Sequence, residues 1–124
     1  MHDTLLKRAA LADGLISLAV AGLLIIDAPL LADPLGLTQS FITAVGWIIM
    51  PFALAWLYVA ATGARLLARL GVIGNVIWPI ASALAIPVLQ PTPLGTAFIV
   101  VQAATVLALA HFQNRGLQRI ASTA

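Results

Sequence analysis

The sequence contains no cysteine and no glutamate, and only 8% of its 124 residues are charged. Without cysteine there are no disulfides, thiolate nucleophiles, iron–sulfur ligands or cysteine-based zinc sites. Without glutamate, and with only four aspartates, most paired-carboxylate chemistry is excluded. The shortage of charge excludes a water-soluble globule. Such a domain carries about 25% charged and about 45–50% apolar residues, whereas 62% of this chain is apolar. Disorder is excluded as well, because disordered chains are poor in apolar residues. The surplus needs an apolar solvent, and the lipid bilayer supplies it. The net charge of +2 and a pI near 10.0 do not indicate a nucleic-acid partner. The six basic residues are scattered at helix ends and form no stripe.

A spanning helix needs about 20 mainly apolar residues. Four such runs are present: Ala9 to Leu31, Phe41 to Ala61, Leu70 to Leu89, and Leu94 to Phe112. They leave little chain for a soluble domain, so the expected organisation is one membrane domain over residues 1–124. Asp33-Pro34 with Gly36, the stretch Thr62 to Arg69, and Gln90-Pro91-Thr92-Pro93 form the connections. These are turn-forming and helix-breaking sequences. Short connections place consecutive helices antiparallel, which gives an all-α, up-down-up-down bundle of four transmembrane helices.

All the basic residues fall at three loci: Lys7-Arg8, Arg65 with Arg69, and Arg115 with Arg119. In a four-span chain these loci share one side, and the other two loops hold no Lys or Arg. The positive-inside rule then places both termini in the cytoplasm, in a bacterial inner membrane. Lys7-Arg8 and Ala19-Val20-Ala21 imitate a signal peptide with its cleavage site. Asp13 within the apolar stretch, and continuation of that stretch to Ile26, favour a retained span.

Asp33-Pro34-Leu35-Gly36 before the second run and Thr92-Pro93-Leu94-Gly95 before the fourth suggest two repeated hairpins. Alignment of the Pro-Leu-Gly triplets, with a three-residue gap, sets Asp13 opposite Asn75.

Asp13 is the sharpest chemical feature. A carboxylate inside a span is either a substrate- or proton-binding group or an interfacial group held by a neighbouring helix. Asp13, Ser17 and Ala21 recur at spacing four beside Gly14 and Gly22, which marks a packed face. Gly71, Asn75, Trp78, Ser82 and Ala85 form a similar face in the third run. The spacing therefore aims Asp13 and Asn75 into the bundle at similar depth, within hydrogen-bonding reach. Interhelical glue suffices to explain such a pair; a ligand site is the alternative. Gln102 and Thr105 share a face near the middle of the fourth run. His111, at the basic end of that run, approaches Asp13 as a relay or sits as an interfacial histidine at a helix C-terminus. Pro51, Pro79 and Pro87 interrupt helical hydrogen bonding. Trp56 and Tyr58 suit an interfacial aromatic belt, while the indoles of Trp47 and Trp78 lie deeper and need partners.

No lysine lies in a span, which excludes a retinal Schiff base, and with only His2 and His111 one chain cannot ligate a haem through two histidines inside the bundle. No nucleophile triad, phosphate loop or metal cluster is present, so neither an enzyme nor a cofactor is expected.

The residues Asp13-Gly14, Pro34-Leu35-Gly36, Asn75 to Ser82 with Trp78, and Thr92-Pro93-Leu94-Gly95 resemble those of small four-span bacterial integral membrane proteins of unassigned activity. That resemblance implies an inner-membrane four-helix fold and assigns no site residues. The chain is also similar in length and span number to the small multidrug resistance transporters, whose functional first-span residue is a glutamate. Here Asp13 is the nearest equivalent. The small fluoride channels likewise have four spans, and Gly74-Asn75 echoes their glycine-flanked asparagine. Both likenesses are of size.

Two functions follow as expectations. One is a non-catalytic accessory subunit that packs with itself or within a larger membrane complex through its small-residue faces. The other is a small oligomeric transporter or channel using a polar interior of Asp13, Ser17, Asn75, Trp78, Ser82, Gln102 and His111.

Overall fold

The computed structural model describes residues 4–123, so His2 lies outside it. All regular structure among these residues is helical: α1 Thr4–Ile26, α2 Ala28–Leu35, α3 Gln39–Thr62, α4 Arg65–Leu89 and α5 Pro93–Thr123. Four of the five, α1, α3, α4 and α5, are long and apolar enough to cross a membrane. That is the make-up of a membrane protein.

The first apolar run does not continue as one helix to Leu31. It breaks at Asp27, and Pro29 is the physical cause. Proline has no N–H to donate to the Ile25 carbonyl, and it is accommodated in the first turn of a new helix, where that N–H is not needed. The chain restarts with Leu30 and Leu31 donating to the Asp27 carbonyl at 2.9 and 3.0 Å. The short helix α2 ends where Gly36 takes a left-handed conformation, φ 67°. Thr38 then caps α3 by accepting from the Phe41 amide at 3.2 Å.

The two Pro-Leu-Gly triplets have different conformations, so their likeness is not a structural repeat. Pro34-Leu35-Gly36 terminates α2, whereas Pro93-Leu94-Gly95 starts α5 with Thr92 as its N-cap, which accepts from the Gly95 amide at 3.1 Å. The triplets instead meet each other. Thr92 donates its hydroxyl to the Pro34 carbonyl at 2.5 Å and its amide to the Leu35 carbonyl at 3.2 Å. Carbonyls left free at the end of α2 are thus satisfied by the loop before α5.

Packing is uneven. The most extensive interfaces are α1 with α3 and α4 with α5, and α1 also packs on α5. The sequential neighbours α3 and α4 touch far less. Glycines permit the close approaches. At Gly14 a Cβ would lie 2.7 Å from Leu57 Cδ2, and at Gly116 it would lie 2.7 Å from the Leu6 backbone nitrogen. Two apolar clusters result. Leu6, Ala10, Trp56, Val59, Ala68, Leu117 and Ile120 form one, and Leu24, Ala28, Leu35 and Ile42 form the other.

Trp56 is not in an interfacial belt. It is 2% exposed, with its ring lying over Gly71, while Tyr58 and Trp47 point outward. Helix α5 also runs well past Phe112. Its 31 residues span about 46 Å at 1.5 Å per residue, more than a hydrocarbon core of about 30 Å. The extra turns do not dangle, because Gly116, Leu117 and Ile120 pack against the first turns of α1.

Candidate functional site

Asp13 occupies the inward face of α1, with 2% of its surface exposed. That face carries Gly14 against α3 and Ser17 one turn along, so the carboxylate is directed toward α4 and α5. Ser17 Oγ donates to Asp13 Oδ1 at 2.8 Å. Asn75 Nδ2, on α4, donates to Asp13 Oδ2 at 2.7 Å. Gln113 Nε2, on α5, donates to the same oxygen at 2.8 Å. The triangle closes because Asn75 Nδ2 also donates to Gln113 Oε1 at 3.0 Å. A carboxylate only accepts hydrogen bonds, so Asp13 fixes which way both amides face. Its partners among the described residues are all neutral, and no lysine or arginine pairs with it.

The geometry requires the three groups to be level. Asp13 is nine residues past the start of α1 and Asn75 ten residues past the start of α4, so each lies about 14–15 Å along its helix. Gln113 lies ten residues before the end of α5.

A second polar group lies further along α4 and α5. Trp78 Nε1 donates to Gln102 Oε1 at 2.8 Å. Gln102 Nε2 donates to Ser82 Oγ and to the Ile99 carbonyl, both at 3.1 Å. Ser82 Oγ donates to the Trp78 carbonyl at 2.8 Å. The deep indole thus finds its partner within the bundle.

Between the two groups is a cavity of about 270 Å³. Its wall includes Asp13, Ser17, Asn75, Trp78, Gln102 and Thr105, with Ile49 and Phe52 of α3 opposite. It occupies the space that sparse α3–α4 packing leaves open. A second cavity of about 290 Å³ adjoins it and shares Val20, Ile49, Trp78, Phe98 and Gln102 in its wall. Apart from Ser82 and Gln102, the second wall is apolar.

Six of the seven candidate residues are therefore gathered around this interior: Asp13, Ser17, Asn75, Trp78, Ser82 and Gln102. His111 is not among them. It is exposed on the outer face of α5, its ring meeting Phe112 edge-on at a centroid separation of 5.4 Å. From Gln113 it is two positions away, about 200° around a helix, so the two face opposite ways. Gln113 is the residue that sequence reasoning missed, because hydropathy ends the fourth run at Phe112. Its spacing to Gly116, Leu117 and Ile120 marks the packed face.

Among the described residues no group of three or more His, Asp or Glu side chains is placed to hold a metal ion. No family model matches this chain, and neither a curated protein nor a solved structure matches it.

Proposed function

We propose that this chain is a small, non-catalytic, multi-pass protein of a bacterial cytoplasmic membrane that binds a small molecule in its interior as a transporter or channel, working as an oligomer. One observation carries the proposal. Asp13, Ser17, Asn75, Trp78 and Gln102, on three helices, line a single cavity inside an otherwise apolar bundle. An ionisable side chain inside a span is costly to keep, and its presence beside a cavity is the usual mark of a substrate or ion path.

The chain is proposed to form one membrane domain. Four spans would cross up-down-up-down, as two hairpins, α1 with α3 and α4 with α5. Two facts support this. The cluster around Leu6 and Trp56 joins the start of α1 to the end of α3, and the cluster around Leu24 and Ile42 joins their other ends. Lys7, Arg8, Arg65, Arg69, Arg115 and Arg119 all belong to the first end, which the positive-inside rule makes cytoplasmic.

A strain deleted for the protein and complemented with wild type or Asp13→Asn tests the transport role. Growth is compared across a panel of ions and membrane-active compounds. A condition rescued by wild type but not by Asp13→Asn, at equal membrane levels, is expected. Equal rescue in every condition contradicts transport through this site.

A second function, accessory subunit of a membrane assembly, has its own support. The polar side chains of the interior bond to one another, and among the described residues no fully buried side-chain polar atom is without a partner. The face Leu66, Leu70, Ile73, Ile77, Ile80 and Leu84 of α4 turns outward at helical spacing. Native mass spectrometry from the protein's own membrane separates the two functions. A reproducible complex with other proteins supports the subunit, and a homo-oligomer or a chain carrying a small molecule supports the transporter.

A further inference from the structure

The hydrogen-bonding capacity of the cavity wall is lopsided. Every side-chain donor on it is already engaged. Both Asn75 Nδ2 hydrogens go to Asp13 and Gln113, and both Gln102 Nε2 hydrogens go to Ser82 and the Ile99 carbonyl. The Trp78 N–H is taken by Gln102, the Ser17 hydroxyl by Asp13, and the Thr105 hydroxyl by the Val101 carbonyl. Acceptors remain. Among the described residues none donates to Asn75 Oδ1, although the same amide's nitrogen is bonded to Asp13. Asp13 Oδ1 receives only one, from Ser17. A carboxylate oxygen has room for two. Among the described residues Asp13 also has no cation as a partner.

From this surplus we infer that the cavity binds an amphiphile with a protonated primary or secondary amine head. The ammonium donates to Asp13 Oδ1 and Asn75 Oδ1, and the apolar body runs past Trp78 and Phe98 into the adjoining cavity. Charge and donor count both fit. An ammonium offers up to three N–H donors and the positive charge that Asp13 lacks. The body fits because, apart from Ser82 and Gln102, the second cavity is walled by aliphatic and aromatic side chains. Ligands whose heads only accept, such as quinones, esters or carboxylates, find no free donor here. A quaternary ammonium has the charge but no N–H to offer. The inference rests on the cavity reading above and fixes the chemistry of its ligand.

The test is calorimetric titration of the full chain in phosphatidylcholine nanodiscs, with empty nanodiscs as background. The probes are decylamine, decyltrimethylammonium, decanol and decanoate, near neutral pH where the amine is protonated. Decylamine is expected to bind saturably and about tenfold or more tighter than decyltrimethylammonium, with decanol between them and decanoate unbound. Asp13→Asn, checked for helix content, should weaken decylamine about tenfold and leave decanol nearly unchanged. Gly74→Leu should weaken both. The backbone tolerates a side chain there, since a Cβ at Gly74 meets only Phe52 Cε1 at 3.6 Å, and the added bulk enters the cavity. Equal affinity for the primary and quaternary amines, or unchanged decylamine affinity in Asp13→Asn, overturns the head-group inference. Binding lost in Gly74→Leu would still uphold the cavity in that case. No saturable binding of any probe overturns both.

Discussion

Gln113 Nε2 donates to Asp13 Oδ2 at 2.8 Å, tying the end of α5 to the first half of α1 across a hundred positions of sequence. Gln113 is fully buried, and it also accepts from Asn75, so one side chain joins three helices. Interhelical hydrogen bonds inside membranes contribute about 0.6–2 kcal/mol each. Removal of a partner from a buried group is costlier than that average, because the remaining group stays desolvated.

Gln113→Leu keeps the volume and removes both bonds. It should lower stability by about 1–3 kcal/mol, read from unfolding by titration with sodium dodecyl sulfate. His111→Leu, two residues away on the outer face, should change stability little. Equal losses in the two variants would mean that α5 does not pack as described.

Gly116 and Gly22 make a matched pair. A Cβ at Gly116 would meet the Leu6 backbone at 2.7–2.8 Å and Leu6 Cβ at 2.9 Å, with no flexible side-chain tip to give way, whereas Gly22 has nothing within 4 Å. Gly116→Ala should therefore separate α1 from α5 and cost about 1–3 kcal/mol. Gly22→Ala should be neutral or stabilising by up to about 1 kcal/mol. The comparison of thermal midpoints in nanodiscs decides it, and a neutral Gly116→Ala would refute the close approach.

Much of this arrangement is legible in the sequence, because membrane helices bury small and polar residues and turn long apolar ones outward. Asp13, Ser17 and Ala21 on one side, with Asn75, Trp78 and Ser82 on the other, announce facing stripes, and Asp13 does bond to Asn75. What the sequence hides has physical reasons. Hydropathy reports where a helix leaves the lipid and not where it stops, and Gln113 lies just beyond that point in the polar turns of α5. The break at Asp27 is masked because Ala28 to Leu31 remain apolar while Pro29 interrupts the hydrogen bonding. Trp56 imitates an interfacial tryptophan until Gly71 provides the flat surface its ring covers.

Thr92 has two duties on the opposite end of the bundle. Its hydroxyl oxygen caps α5 at Gly95, and its hydroxyl hydrogen is donated to Pro34. Thr92→Val should cost about 1 kcal/mol, as loss of an N-cap does. Hydrogen exchange should show the Gly95 amide exchanging faster while the Asn75 region is unaffected. Unchanged exchange at Gly95 would show that the cap is not formed.

Trp78→Phe removes the N–H that Gln102 Oε1 accepts, leaving an acceptor at the junction of the two cavities. A modest loss, about 1 kcal/mol or less, is expected, because that oxygen then faces the cavity. By the same reasoning decanol, which carries a donor, should bind this variant at least as tightly as wild type. Calorimetric titration checks it, and weaker decanol binding at unchanged helix content would count against Gln102 as an interior acceptor.

The natural absence of cysteine makes the most direct test simple, since any thiol introduced is the sole one. Thr105→Cys places it on the cavity wall, Val100→Cys on the outer surface of the same helix, and Ala10→Cys in the packed core. Each is treated in intact membranes with a small, charged, thiol-reactive methanethiosulfonate, which needs water to reach its target. If the cavity is a hydrated binding site, Thr105→Cys reacts while Val100→Cys and Ala10→Cys do not, and decylamine slows the reaction. If Thr105→Cys is as inert as Ala10→Cys until the protein is unfolded, the interior is a dry structural joint and the binding function is wrong.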